Sequence, residues 1–244
     1  MAKGDDETLF AIKFLKKIKP VAYARFQNEV HALVEYTGIK GIMPIVDYEL
    51  PAELGEKIPW YVMPLCVSVE EHFVNSSSVE IVKAFISLLE TLEKLHTKGF
   101  AHRDIKPANI LIRKEQILFA DFGLVDYPDK KDLTGKRESV GPKWTMAPEM
   151  KRNAVDADGK PADIYSLAKT LWILITKERL GFEGQYIPDE FIGINNKLTG
   201  IYSKPLDELL TACTQNDPNK RPTAQVFRNL LKQWLTLNLK FPEN

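Results

Sequence analysis

Residues 102–123 read HRDIKPANILIRKEQILFADFG, and this stretch decides how the chain folds. Two four-residue runs, at 110–113 and 117–120, are apolar except for Arg113 and flank a polar stretch at 114–116. Apolar runs on either side of a short polar turn predict an antiparallel hairpin. In the register that a three-residue turn gives, position 113 pairs with 117 and position 110 pairs with 120.

Two polar residues lie at the open end of this predicted hairpin, one before the first strand and one after the second. The same register, continued outward, puts Asn109 opposite Asp121, with Cα atoms roughly 4.5–5.5 Å apart. An amide oxygen and a carboxylate are hard donors, and they suit Mg²⁺ when phosphate and water oxygens complete its shell. The pattern also fits two polar residues that merely flank a hairpin, so the metal site is one of two interpretations.

Further motifs follow in order along the chain. They are HRD at 102–104, DFG at 121–123, APE at 147–149, an aspartate at 163 and an arginine at 221. In this order and at this spacing they resemble the eukaryotic-type protein kinase family in its serine/threonine-like form. The resemblance covers nearly the whole chain and implies an α+β, bilobal protein-kinase-like fold. A partial N-lobe (an antiparallel sheet plus the helix called αC) with the hinge would occupy residues 1–66, and a mainly helical C-lobe residues 67–244.

The first third of the chain supplies a lysine and a glutamate for this fold. An apolar run around Lys13 predicts a strand, and the next periodic run predicts a helix. Glu29 lies three residues after Phe26 and four before Leu33, so it shares their apolar face. A carboxylate on an apolar face needs a partner, and Lys13 on the neighbouring strand is the natural one. Glu35 fits the role of an exposed helix acid better.

The resemblance implies a role for each of these residues in phosphoryl transfer from ATP. Lys13 would hold the α- and β-phosphates, and Glu29 would orient Lys13. Asp104 would accept the proton of the substrate hydroxyl, while Lys106 would neutralise charge on the γ-phosphoryl group. The ligands of Mg²⁺ would be Asn109 and Asp121.

An adenine pocket is implied in the same way, so ATP and Mg²⁺ are the expected cofactors. Met63 would be the gatekeeper at the end of a strand that runs into the hinge. Backbone groups of Pro64 and Cys66 would meet the adenine. Leu111, two residues past the predicted metal ligand, would form the apolar floor under the ring.

Other residues of the motifs are expected to support the structure. His102 fits a histidine that packs in the core better than a metal ligand or a general base. Arg103 and Asp163 would be structural, with Arg103 a possible receptor for a loop phosphate. Glu149 and Arg221 would form a buried ion pair.

The segment ahead of Lys13 departs from the family pattern. A kinase places two strands and a glycine turn before its lysine strand, whereas residues 1–8 contain one glycine, Gly4. We therefore expect the first strand and the phosphate-covering loop to be absent, and residues 1–8 to form a turn. The open sheet edge would then accept a strand from a protein partner or from a second copy of the chain.

The segment at 121–149 departs as well. Pro142 stands where serine/threonine kinases usually have threonine, and the following Lys143-Trp144 resembles tyrosine kinases. Lys106 has the serine/threonine form and touches the chemistry directly, so it carries more weight, and dual specificity stays open. The candidate autophosphorylation sites of this segment are Thr134 and Ser139.

Composition excludes several classes of function. The chain has 33 Lys and Arg against 33 Asp and Glu, so nothing in its net charge draws it to nucleic acid or to anionic membranes. The most apolar helical run, at 164–176, contains Lys169 and is too short to cross a bilayer. The two cysteines lie far apart, which fits a reduced, cytoplasmic protein without a disulfide scaffold.

Three functions remain in competition. The first is transfer of the ATP γ-phosphoryl group to Ser or Thr of a protein substrate, with autophosphorylation possible. The alternative is a pseudokinase-like binding or regulatory module, because the glycine-rich loop is missing. The third is a kinase fold that phosphorylates a small molecule, but the motifs at 147–149 and 163 favour a protein substrate.

Overall fold

The computed structural model of this protein describes residues 2–3, 9–125, 144–154 and 156–240. Its strands are β1 (Ala2–Lys3), β2 (Leu9–Phe14), β3 (Asp47–Glu49), β4 (Trp60–Pro64), β5 (Val67–Ser68), β6 (Ile110–Arg113) and β7 (Gln116–Phe119). Its helices are α1 (Pro20–Glu35), α2 (Val69–His72), α3 (Ser78–Thr97), α4 (Pro148–Arg152), α5 (Gly159–Thr176), α6 (Ile194–Lys197), α7 (Lys204–Cys213) and α8 (Ala224–Lys240).

The first sheet has the strand order β1-β2-β4-β3, and each neighbouring pair is antiparallel. Lys13 on β2 lies opposite Tyr61 on β4. Directly opposite residues of a sheet point to the same face, and both of these side chains reach Glu29 on α1. Helix α1 also packs the Phe26 ring 5.5 Å from the Tyr61 ring. The sheet and α1 therefore share one apolar layer with a charged centre.

The helical part is built around α3 and α5. Ser77 and Glu80 form the capping box that starts α3, and Gly99 follows its end with φ 88°. Helix α5 is buried along nearly its whole length, which explains why it lacks a polar face. Both helices contribute to one core cluster that also includes residues of α1, β6 and β7. The second sheet, β5-β6-β7, lies within this part.

The α+β class predicted from the sequence is confirmed by these sheets and helices. The division into lobes at residue 66 stays a prediction. No helix among the described ranges is long and apolar enough to cross a membrane.

The hairpin formed by β6 and β7 differs from its predicted register by one residue. Arg113 pairs with Gln116, so the turn contains two residues instead of three. Lys114 and Glu115 occupy that turn with φ values of 46° and 63°. Positive φ at both central residues is the geometry of a type I′ turn, which matches the twist of the flanking strands.

This shift changes what lies opposite Asn109. The Ala120 N–H donates to the Asn109 carbonyl at 2.9 Å, and Asp121 comes one residue later with φ 60°. The prediction that Asn109 and Asp121 are directly opposed is therefore wrong. Asn109 instead lies opposite Ala120, and Asp121 is offset from it by one residue.

Residues 1–8 were expected to form a turn, but residues 2–3 form strand β1. The described residues ahead of β2 contain this one strand, so the absence of the first of the family's two strands stays a prediction. In the structure β1 pairs with β2, with Lys3 opposite Leu9 and Ala2 opposite Phe10. The chain itself therefore covers part of the β2 edge that we expected a partner to cover. The turn predicted at residues 1–8 includes Met1 and 4–8, which lie outside the described residues.

Gly41 joins the first part of the chain to the hairpin, and its carbonyl accepts from the Phe119 N–H at 2.9 Å. Its φ is +95°, and a Cβ there would come within 1.9 Å of Thr91 Oγ1. Gly38 has a similar φ of +89° but open space around it. Alanine at Gly38 would therefore introduce backbone strain alone, whereas alanine at Gly41 would introduce backbone strain and steric overlap together.

We predict that Gly41→Ala destabilises the protein more than Gly38→Ala does. Backbone strain should cost each variant about 1–2 kcal/mol. Overpacking against Thr91 should cost Gly41→Ala about 1–3 kcal/mol more. Urea unfolding of both variants measures the difference, and equal midpoints would contradict the close contact at Gly41.

Candidate active site

The loop that carries Asp104 is held by a buried carboxylate on α5. Asp163 Oδ1 accepts from the Arg103 N–H at 2.7 Å, and its Oδ2 accepts from the His102 N–H at 2.7 Å. His96 Nε2 lies 3.0 Å from the same Oδ2. Asp163 is 1% exposed, so these contacts satisfy a charge that burial would otherwise penalise. They also hold Arg103 in a left-handed conformation with φ 64°.

Asp104 follows this anchored pair and is itself hydrogen-bonded on one carboxylate oxygen. Lys106 Nζ lies 2.9 Å from Asp104 Oδ2. Asn109 Nδ2 donates to the same oxygen at 2.7 Å and to the Asp104 carbonyl at 2.9 Å. The structure thus brings together three of the residues that the sequence singled out. Thr145 fixes the loop from the other side, because its Oγ1 donates to the Ile105 carbonyl at 3.0 Å.

A second cluster is centred on Lys13. Its Nζ lies 2.6 Å from Glu29 Oε1 and 3.3 Å from Asp121 Oδ1, so the ion pair predicted between Lys13 and Glu29 is present. Tyr61 adds a hydrogen bond that the sequence analysis missed, from its hydroxyl to Glu29 Oε1 at 2.7 Å. The available signal was the alternation of strand residues between the two faces of a sheet. Tyr61 lies two residues before Met63, so both are on one face of β4, and Met63 was already expected at the site.

The electrostatics of this cluster follow from burial and from the two carboxylates. Burial raises the pKa of Glu29, which is 3% exposed, and Lys13 opposes that rise. Burial also disfavours the charged form of Lys13, but Glu29 and Asp121 outweigh it and raise the pKa of the lysine. Burial and then the neighbouring Glu29 raise the pKa of Tyr61, which keeps its proton and donates. Lys13 therefore carries its charge at neutral pH.

Asn109 and Asp121 fit the donor set that Mg²⁺ prefers. The amide nitrogen of Asn109 is turned to Asp104, which leaves the amide oxygen as its remaining acceptor. The Asp121 carboxylate is 43% exposed and lines a cleft of about 530 Å³ with Glu29 and Gly123. Both groups supply hard oxygens, and phosphate oxygens would complete the shell of the ion.

The residues predicted to surround adenine lie on neighbouring segments. Met63 is partly buried against the core, and Pro64 ends β4. Cys66 is half-buried, and burial raises the pKa of its thiol. Two residues later Ser68 pairs with Leu111 on β6, which brings the chain after Cys66 beside the predicted floor residue. These contacts are compatible with a common pocket, while the adenine roles stay a prediction.

His102 packs in the core. His102 is 1% exposed, stacks against Phe119 and Phe122, and has Nε2 3.1 Å from the Ala120 carbonyl. It is a core residue, as predicted. The candidate phosphorylation sites Thr134 and Ser139, and also Pro142 and Lys143, lie outside the described residues.

Glu149 on α4 and Arg221 form the predicted ion pair in two-point geometry. The Arg221 Nη1 and Nη2 atoms lie 2.5 and 2.8 Å from the two carboxylate oxygens. Arg221 also donates to the Pro161 carbonyl in α5 at 3.0 Å and to the Gln215 carbonyl at 2.8 Å. The pair therefore ties α4 to the start of α5, beside the loop that Asp163 anchors.

We predict that Arg221→Ala lowers the free energy of unfolding by about 3–5 kcal/mol, because it leaves a partly buried carboxylate without its partner. Arg228 is the matched control, since it pairs with Glu90 and Glu93 at a more exposed position. Arg228→Ala should cost less than about 1 kcal/mol. Similar losses in urea unfolding would show that the Glu149–Arg221 pair has no special structural role.

Known proteins that resemble this chain point to the same family as the motifs of the site. Residues 1–235 match the protein kinase domain family. The chain is 34% identical over 222 residues to the serine/threonine-protein kinase ppk34 of Schizosaccharomyces pombe, over 88% of this chain and 62% of that protein. It is 30% identical over 242 residues to the human serine/threonine-protein kinase STK11, over 92% of this chain and 55% of that protein.

A third relative is the mitogen-activated protein kinase kinase kinase 20 of Arabidopsis thaliana, 35% identical over 170 residues, 63% of this chain and 47% of that protein. The chain thus spans about half to three fifths of the length of these curated relatives. The family match extends over most of the chain and includes both side-chain clusters. The chain therefore belongs to the protein kinase family and has its α+β fold.

Proposed function

We propose that this chain transfers the γ-phosphoryl group of ATP to serine or threonine hydroxyls of a protein substrate. The observation that carries the proposal is that both side-chain clusters are complete. Lys13 is paired with two carboxylates, and Asp104 is hydrogen-bonded to the lysine and amide of its own loop. A decayed site would be expected to lack one of these partners.

Lys13 would bind the α- and β-phosphates of ATP. Its long side chain has several rotamers, and the ion pair with the buried Glu29 restricts them. Asp121 stands on the other side of the ammonium. Most of the rate acceleration in phosphoryl transfer comes from positioning and from charge stabilisation, so this preset geometry supports catalysis directly.

Asp104 would accept the proton of the substrate hydroxyl. One of its oxygens is held by Lys106 and Asn109, which leaves the other oxygen for that hydroxyl. Lys106 would balance the charge of the transferred group. Mg²⁺, when bound by Asn109 and Asp121, would neutralise the phosphate oxygens. Met63, Pro64, Cys66 and Leu111 would hold the adenine.

The choice of serine and threonine rests on Lys106 and on the relatives. Lys106 contacts Asp104 and stands two residues after it, in the position that serine/threonine kinases fill with lysine. The relatives in fission yeast and human are named serine/threonine-protein kinases. Thr134 and Ser139 remain the proposed sites of autophosphorylation. The free cysteines Cys66 and Cys213 fit a reducing cytoplasm.

The competing function is a binding module, and one observation favours it. Residues 1–8 contain Gly4 as their one glycine, so a glycine-rich cover for the phosphates is not evident in this sequence. In that case the first sheet would bind a protein partner or a second copy. An assay of phosphoryl transfer separates the two functions.

We predict that Glu29→Gln lowers kcat/KM for ATP about 10- to 100-fold, since a hydrogen bond between charged groups contributes about 1.5–3 kcal/mol. The amide keeps the size of the side chain and can still accept from Tyr61. The matched control is Glu35→Gln on the exposed side of α1, which should change the rate less than about twofold.

The assay follows label from γ-labelled ATP into a basic protein acceptor, with Mg²⁺ present, and mass spectrometry identifies the modified residues. Asp104→Asn provides the inactive reference. Phosphoserine or phosphothreonine from the wild-type chain, absent with Asp104→Asn, supports the proposal. Absence of transfer from the wild-type chain would overturn it in favour of the binding module.

A further inference from the structure

Helix α5 contains a buried lysine that the proposed chemistry does not use. Lys169 is 2% exposed, and within the described ranges no carboxylate lies within ion-pair distance of it. Its Nζ donates to the Phe182 carbonyl at 2.6 Å. The same atom lies 4.3 Å from the centre of the Phe182 ring and 4.8 Å from that of Tyr165. A buried ammonium without a counter-ion is costly, so its position requires an explanation.

The contacts of Lys169 hold the chain segment at 181–184 against α5. The segment is fixed at two points, because Lys169 donates to the Phe182 carbonyl and the Tyr165 hydroxyl donates to the Gly184 carbonyl at 2.7 Å. At its start, a Cβ on Gly181 would lie 3.0 Å from the Trp144 carbonyl oxygen. The segment therefore fills the space between α5 and Trp144.

Residues 144–147 connect this segment to the candidate active site, and we call them the substrate platform because they lie beside the loop of Asp104, where the proposed protein substrate would bind. Thr145 is 2% exposed, and its Oγ1 donates to the carbonyl of Ile105, the neighbour of Asp104. Met146 and Ala147 pack in one buried cluster with Tyr165. A change in how Lys169 holds the segment beneath would therefore reach the platform beside Asp104.

We propose that Lys169 is a positioning residue for the substrate platform, and that gain of a proton by its amine loosens the platform and weakens binding of the protein substrate. This inference rests on the proposed function, because it concerns the same site. Lys169 acts through the segment at 181–184 and through Tyr165. It touches neither of the two side-chain clusters that would carry the chemistry.

The charges around Lys169 place its titration near neutral pH. Burial, and to a lesser extent the like charge of Lys151 on α4, lower the pKa of Lys169 to about 7. Glu183, in the segment itself, opposes this shift. Arg221 also lies over the Tyr165 ring, 4.8 Å from the ring centre, and its charge is matched by Glu149.

The direction of the effect follows from these groups. Above neutral pH the amine is uncharged and donates to Phe182 without a charge to solvate. Below it, the buried ammonium has no counter-ion among the residues that the structure describes, and it favours a looser arrangement that admits water. If the neutral form alone supports substrate binding, the competent fraction falls from about nine tenths at pH 8 to about one tenth at pH 6. KM for the protein substrate should then rise about tenfold over that range.

The first experiment measures KM for the protein acceptor, KM for ATP and kcat between pH 6 and pH 8.5. We expect KM for the acceptor to show the step in the wild-type chain and to be flat in Lys169→Met, which has no proton to gain. KM for ATP should not share this step. A wild-type KM for the acceptor that does not change with pH, or a step that survives in Lys169→Met, would overturn the inference.

Two substitutions at exposed positions test the same idea without touching the core. Lys151→Gln removes a like charge, so the midpoint of the step should move to higher pH. Glu183→Gln removes an opposite charge, so the midpoint should move to lower pH. Shifts in opposite directions support titration of Lys169, and midpoints that stay fixed in both variants contradict it. This pair also decides the matter if Lys169→Met fails to fold.

An activity-independent readout separates this inference from the proposed function. In the wild-type chain labelled with ¹⁵N-tryptophan, the indole signals of Trp144 and of Trp172, which packs against Phe182, should titrate with one midpoint near neutral pH. Lys169→Met should abolish that titration. If the wild-type chain transfers no phosphate, the proposed function fails, while these signals still support or overturn the coupling of Lys169 to the platform.

Discussion

The Asp163 carboxylate is the contact on which the rest of the site depends. It accepts hydrogen bonds from the backbone N–H groups of two consecutive residues, His102 and Arg103. These bonds fix the chain that follows α3. Arg103 takes a conformation that residues with a side chain rarely adopt. With that strain held by Asp163, Asp104 emerges facing Lys106 and Asn109. A buried residue of α5 thereby fixes the loop that carries Asp104.

Helix α5 connects the different parts of the site through successive turns. Its first turns present Asp163 to the loop and Tyr165 to the arginine of the Glu149–Arg221 pair. One turn further, Lys169 donates to the Phe182 carbonyl and holds the segment at 181–184 against the helix. Because the helix is buried almost throughout, these polar groups make their hydrogen bonds to other parts of the protein. The same buried helix therefore contacts both the loop of Asp104 and the segment at 181–184.

The sequence predicted contacts that depend on helix and strand periodicity and failed where a turn decided the outcome. Glu29 was found because an acid on an apolar face needs a partner, and the structure supplies Lys13. The hairpin register was wrong because Lys114 and Glu115 adopt a two-residue turn with positive φ, which glycine or asparagine would have signalled. The tie from Thr145 to the loop joins residues far apart in sequence, so no local pattern indicates it.

Amide hydrogen exchange tests the role of Asp163 most directly. We expect the His102 and Arg103 amides to exchange as slowly as those in the core of α3, although they lie in a loop, because they open only when the protein unfolds. In Asp163→Asn both amides should exchange much faster while α3 keeps its protection. Fast exchange of these amides in the wild-type chain, or unchanged protection in the variant, would contradict the claim that this carboxylate holds the loop.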